Sequence, residues 1–114
     1  MSTMDQAMNY LADHSTWKYA GQGTGTGGGV AIPNTAKEVY VEVIVNNTAT
    51  YTATAPAPFT SSSRWQLGGY YYSSSDHGLC NLNVSNGGLN FAIRYATYSG
   101  TNYSSTSKLK VYYK

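Results

Sequence analysis

The chain has 114 residues, the usual size of a single domain, and only 11% of them are charged, against roughly 25% in an average soluble protein. Ser, Thr, Asn, Gly and twelve Tyr fill the deficit, so the surface is expected to be polar and neutral. The net charge of +2 comes from scattered bases with no grouping beyond Lys108, Lys110 and Lys114, too thin for a stripe that tracks phosphates, which argues against a nucleic-acid partner.

Apolar residues at Met1, Met4, Met8 and Leu11 recur at helical spacing, which predicts a short helix over residues 1–15 with Ser2 or Thr3 at its cap. A helix this short needs a packing partner. Its stripe either docks on its own domain or forms a seam between subunits, with Met4, Met8 and Leu11 as the candidate oligomerisation residues. His14 near the last carbonyls reads as a favourable helix-dipole contact. Residues 16–29 follow as a connector: the run Gly21 to Gly29 offers positive φ and no side chains to pack, and reads as a flexible link or wide turn.

From Val30 the period changes to two. Val39, Val41, Val43 and Val45 alternate with Tyr40, Glu42, Ile44 and Asn46, which predicts a strand with a valine core face. Asn46 and Asn47 suit a tight turn, Tyr51, Ala53 and Ala55 alternate with threonines on the return, and Pro56 and Pro58 end it. Further strands are expected over residues 64–72, 79–84, 89–97 and 109–113, with Asn86-Gly87-Gly88 as a hairpin turn. The expected fold is all-β, an antiparallel, jelly-roll-like β-sandwich over residues 30–114, preceded by one short N-terminal α-helix.

Chemistry-bearing residues are few. Cys80 has no disulfide partner and reads as a buried small apolar residue in mid-strand, and the two histidines supply no second ligand cluster for zinc. The glycine run lacks a following Lys-Ser/Thr and does not open a helix, which argues against nucleotide binding. Asp76 and His77, beside three serines in an expected loop, are adjacent in sequence and so are not expected to meet in a catalytic triad. Glu38 and Glu42 are expected on one strand face roughly 13 Å apart, too far for a retaining glycosidase pair. The Asn-x-Ser/Thr triplets headed by Asn46, Asn83 and Asn102 follow from composition. These readings predict no enzyme, no cofactor and no metal. No basic start followed by an apolar run is present, and no apolar stretch reaches about 20 residues, so neither a signal peptide nor membrane insertion is expected. The chain reads as complete and soluble.

Tyrosines crowd the second half among Ser, Gly and Asn, the chemistry of binding loops: a flat amphipathic ring with a hydroxyl that donates or accepts. Strand alternation sends Tyr70 and Tyr72 to one face and Tyr71 to the other, while Tyr95 and Tyr113 fit core positions. The candidate ligand-binding residues are Tyr70, Tyr72, Tyr98, Tyr103 and Trp65, with Tyr98 and Tyr103 expected to be exposed in a Ser-Gly-Asn-rich loop.

Three stretches carry a resemblance: Ile32-Pro33-Asn34-Thr35-Ala36-Lys37-Glu38-Val39-Tyr40-Val41, Gly68-Gly69-Tyr70-Tyr71-Tyr72-Ser73, and Lys108-Leu109-Lys110-Val111-Tyr112-Tyr113-Lys114. With their spacing they span about residues 17–114 and resemble the small β-rich head modules at the distal ends of phage and prophage tail-fibre or baseplate proteins. The resemblance implies a β-sandwich that trimerises, with the N-terminal helix joining subunits near the axis. It also implies a virion location after synthesis in the bacterial cytoplasm, contact with other virion proteins, and receptor binding to a host-surface glycan or protein. No catalytic residue carries over. Such heads usually follow a long shaft, whereas Met1 lies only a helix away from the β-domain here, which adds a second expectation: a capsid or tail decoration or connector protein with no receptor role.

Overall fold

The computed structural model describes residues 17–59 and 64–114. The expected helix, with Met4, Met8 and Leu11, lies outside the described residues. Nine strands are described: β1 (Lys18–Thr24), β2 (Val30–Ala31), β3 (Glu38–Val45), β4 (Ala49–Pro56), β5 (Arg64–Ser73), β6 (Asp76–Ser85), β7 (Asn90–Tyr98), β8 (Thr101–Asn102) and β9 (Lys108–Tyr113). A 3-10 turn over Asn86–Gly88 joins β6 to β7. The fold is an antiparallel β-sandwich: one sheet has the order β1-β9-β3-β4, and the other has the order β2-β7-β6-β5 with β8 paired to β7. Consecutive strands β3–β4 and β5–β6–β7 stay within one sheet, so the connectivity is richer in hairpins than a jelly roll.

The core follows from the period-two pattern. Val39, Val41, Val43 and Val45 of β3, with Leu109 and Val111 of β9, are completely buried against Cys80, Leu82, Val84, Phe91, Ile93 and Ala96 of the opposite sheet. Burying each large apolar side chain stabilises the fold by about 1.5–3 kcal/mol, so this double face is the main source of stability in a chain with a single cysteine. Asn46 and Asn47 take φ of 51° and 56° between β3 and β4, the left-handed geometry that Asn tolerates. At the Asn86–Gly88 turn, a Cβ on Gly88 would sit 1.7 Å from the Phe59 carbonyl oxygen, so the turn closes against the backbone that follows β4.

The glycine run departs from the expected connector. Lys18–Thr24 forms β1, paired antiparallel with β9 along Lys18↔Tyr113 to Thr24↔Lys108. A Cβ on Gly23 would lie 1.8 Å from the Gly28 carbonyl oxygen, and the Gly25 N–H donates to the Ser107 carbonyl at 2.9 Å. The absent side chains therefore let two stretches of backbone touch, and the run is an edge strand plus a tight turn. Residues 25–29 keep the turn part of the expectation.

Tyr95 also departs from expectation. The β6–β7 register passes from Asn81↔Tyr95 to Leu82↔Ile93, which leaves Arg94 as the extra residue of a β-bulge. Alternation slips by one position, Ala96 takes the core site, and Tyr95 is exposed. Tyr113, by contrast, packs against the core as expected. Among the described residues, no helix is long and apolar enough to cross a membrane.

Candidate functional site

A tyrosine ledge is built where the β5–β6 hairpin meets the β7–β8 turn. Register shifts again between Tyr71↔His77 and Ser73↔Asp76, making Tyr72 the extra residue of a second bulge. At this strand end Tyr71 and Tyr72 are 72% and 80% exposed. These are the two most exposed large apolar side chains among the described residues.

Tyr70 anchors the ledge. Its hydroxyl donates to Asp76 Oδ1 at 3.0 Å and accepts the Ser99 N–H at 2.9 Å, tying β5 to the β7–β8 turn 29 residues away in sequence. Ser99 and Gly100 make that turn with φ of 50° and 75°, and the Gly100 N–H donates to the His77 carbonyl at 2.9 Å. The Tyr70 ring lies 5.5 Å from Tyr72 and meets Tyr98 edge-on at 5.9 Å, both favourable aromatic geometries. Tyr71 pairs across the strand with His77 at 5.7 Å. His77 Nδ1 is 3.3 Å from the Ser73 carbonyl oxygen, which accepts from the ring when Nδ1 carries a proton.

The structure therefore brings Tyr70, Tyr72 and Tyr98 together, with Tyr98 half-buried against the core. Trp65 and Tyr103 do not join them. Trp65 faces inward opposite Leu82, stacks on Phe59 at 4.6 Å and meets Phe91 at 6.1 Å. Tyr103 was expected to be exposed but packs against the core, because its loop is pegged down by its own polar residues. The Tyr103 N–H donates to the Ala96 carbonyl at 2.8 Å, and Ser104 Oγ accepts the Ala96 N–H at 2.9 Å, standing in for a strand partner. Ser107 Oγ completes the loop by donating to the Tyr103 carbonyl at 2.7 Å.

Sequence reasoning underrated Tyr71 and the polar frame of Asp76, His77 and Ser99. Asp76 and His77 open β6 and are not in a loop. Their polar groups are used locally, Asp76 by Tyr70 and His77 by Ser73. Glu38 and Glu42 share the outer face of β3, as the burial alternation shows, and Glu38 lies 3.7 Å from Lys114 Nζ. Among the described residues, no group of three His, Cys, Asp or Glu side chains comes together. The Cys80 thiol is pushed up to about 12 by burial, so at neutral pH it is a protonated apolar group with little nucleophilic character.

A second aromatic row crosses the outer face of the first sheet, where the described chain begins. Trp17 to Tyr40, Tyr40 to Tyr112 and Tyr112 to Tyr19 are spaced 5.9, 5.7 and 5.4 Å, and Lys114 Nζ lies 4.7 Å from the Trp17 ring centre. Comparisons with family models, with curated proteins and with solved structures return no match, so the functional reading rests on the chemistry of these surfaces.

Proposed function

We propose that this chain is a non-catalytic binding module of the phage tail-fibre head type, which attaches to a host-surface glycan or protein through the tyrosine ledge. The observation that carries this reading is the pair Tyr71 and Tyr72, held largely in solvent on a hairpin whose neighbour Tyr70 is fixed by two hydrogen bonds. Exposed aromatic rings on a rigid frame lose little entropy on binding, and their faces suit the C–H surfaces of neutral sugars or polar protein surfaces. The site needs no charge, in keeping with a chain that has so little. Tyr51, the residue paired with Val43, packs against Gly68 of β5, where an added Cβ would lie 3.0 Å from its ring, which sets this part of β5 toward the far end of β3 from Trp17. A homotrimer joined through the N-terminal segment would then present three ledges, and their avidity would offset weak single sites.

Screening a glycan array with the labelled chain tests the reading. Neutral-glycan spots bound by the wild type are expected to lose most of their signal with Tyr71→Ala or Tyr72→Ala, whose side chains contribute little to the core. Signal unchanged in both variants would refute the ledge as the binding surface.

A second reading, a capsid or tail decoration or connector protein without a receptor role, is favoured by the Trp17, Tyr40, Tyr112 and Tyr19 row. Its Tyr19 is 57% exposed, and a protein partner could cover it. Under that reading Tyr19→Ser abolishes incorporation into particles, while Tyr72→Ala leaves it intact.

A further inference from the structure

The outer face of the second sheet holds a groove of about 640 Å³, lined by Thr26, Arg64, Leu79, Asn81, Arg94 and Tyr95. Its floor is Asn81 on β6, flanked in register by Gln66 of β5 and Tyr95 of β7. Asn81 is only 3% exposed, yet its Oδ1 has no hydrogen-bond partner. Such an oxygen costs free energy unless a donor reaches it, and native proteins keep few of them.

The β7 bulge supplies the rest of the site. By inserting Arg94 it leaves both Arg94 and Tyr95 exposed, where regular alternation would have buried Tyr95. Arg64 enters the same groove from β5, opposite Asn83. The groove thus combines two exposed guanidinium groups, an aromatic ring and a buried acceptor that lacks a donor. A fully ionised sulfate would engage the arginines and leave Asn81 Oδ1 without a donor. A nucleic acid would need a basic track leading away from the groove, and the other five bases, Lys18, Lys37, Lys108, Lys110 and Lys114, belong to the first sheet or flank its strands.

We propose that this groove is a subsite for an acidic saccharide, separate from the tyrosine ledge. The sugar carboxylate pairs with Arg64 and Arg94, the ring's C–H face lies on Tyr95, and, with a shift of the side chains that cover it, one hydroxyl donates to Asn81 Oδ1. Carboxylate and guanidinium match in planar fork geometry, and a pyranose ring covers an aromatic face, so each part of the groove meets one part of the ligand.

The test is an NMR titration of the 15N-labelled full chain with glucuronic acid and N-acetylneuraminic acid, run beside glucose, sodium sulfate and a short oligo(dT). Saturable shifts are expected at Asn81, Arg94 and Tyr95 with at least one acidic sugar. Glucose is expected to bind at least about tenfold more weakly, the scale set by a charge-assisted hydrogen bond. Arg94→Gln and Arg64→Gln should each weaken the acidic sugar by at least about tenfold at unchanged Tm, because both side chains are exposed. Asn81→Leu should lose binding and raise Tm, since it removes an acceptor that has no donor; if that variant fails to fold, the arginine variants decide alone. Tyr72→Ala should leave this titration unchanged, which separates the groove's fate from the ledge's. The proposal is overturned if sulfate alone competes with equal affinity, marking an adventitious anion site only, or if oligo(dT) binds more tightly than either sugar. Absence of saturable shifts, shifts confined to the ledge, or indifference to both arginine variants would overturn it as well.

Discussion

Tyr70 uses one hydroxyl twice, donating to Asp76 and accepting from the Ser99 N–H, and so joins two turns that are distant in sequence. Tyr70→Phe keeps the ring contacts with Tyr72 and Tyr98 and removes only those bonds. It is expected to cost about 1 kcal/mol in denaturant unfolding and to broaden or shift the Ser99 and Gly100 amide resonances. Cys80 gives a second test. Its folded-state thiol is held at about 12 by burial, against 9.0 for a solvated thiol, so the unfolded chain loses that proton first as pH rises. Stability is therefore fully present below pH 9 and falls through the window from 9 to 12, by up to roughly 1.4 kcal/mol per pH unit. Tyr51, raised mainly by burial, acts in the same direction. Urea melts across that window should show the decline, and Cys80→Ala should reduce it; a pH-independent midpoint would contradict the account. At this scale the sequence was partly legible. Buried Cys80 and half-buried Tyr113 followed from alternation, but Tyr95 did not, because a bulge is a property of the pairing with β6 and leaves no local mark.

Among the elements, β3 is the clearest case of pattern dictating structure: four valines at period two, an Asn-Asn turn and a threonine-lined return give the observed hairpin with β4. β1 shows the opposite. Gly21, Gly23 and Gly25 also recur at period two, but glycine carries no apolar signal, and the strand exists because β9 offers an edge to pair with. The loop between β8 and β9 was misread for a related reason. Its Ser and Asn residues suggest solvent, yet Ser104 is buried and uses its hydroxyl to satisfy the Ala96 N–H. Ser104→Ala leaves that donor unmet and is expected to destabilise the protein by about 1–3 kcal/mol, with increased exposure of Tyr103 to a fluorescence quencher. A neutral result would mean that the loop is not held by this peg.

For the whole molecule, the sandwich was legible as a class from strand spacing and turn residues, and Tyr70, Tyr72 and Tyr98 as candidates, while the polar frame that joins them and the groove were not. Both the ledge and the groove lie at bulges in pairs of strands, and in the groove the bulge exposes Arg94 and Tyr95 together, which alternation would separate. Trimerisation through the N-terminal segment is part of the proposed function, and light scattering coupled to gel filtration checks it. A mass of three chains is expected for the wild type and a monomer for Met4→Ser combined with Met8→Ser and Leu11→Ser. A wild-type monomer would remove the avidity argument.

The measurement that bears most directly on the proposed function is adsorption of the fluorescently labelled chain to intact bacterial cells from a host panel, comparing the wild type with Tyr71→Ser/Tyr72→Ser. The account predicts saturable binding to at least one host, reduced by an order of magnitude or more in the double variant, whose fold and oligomeric mass remain those of the wild type. Equal adsorption by wild type and variant, or none by the wild type on any host, would contradict it.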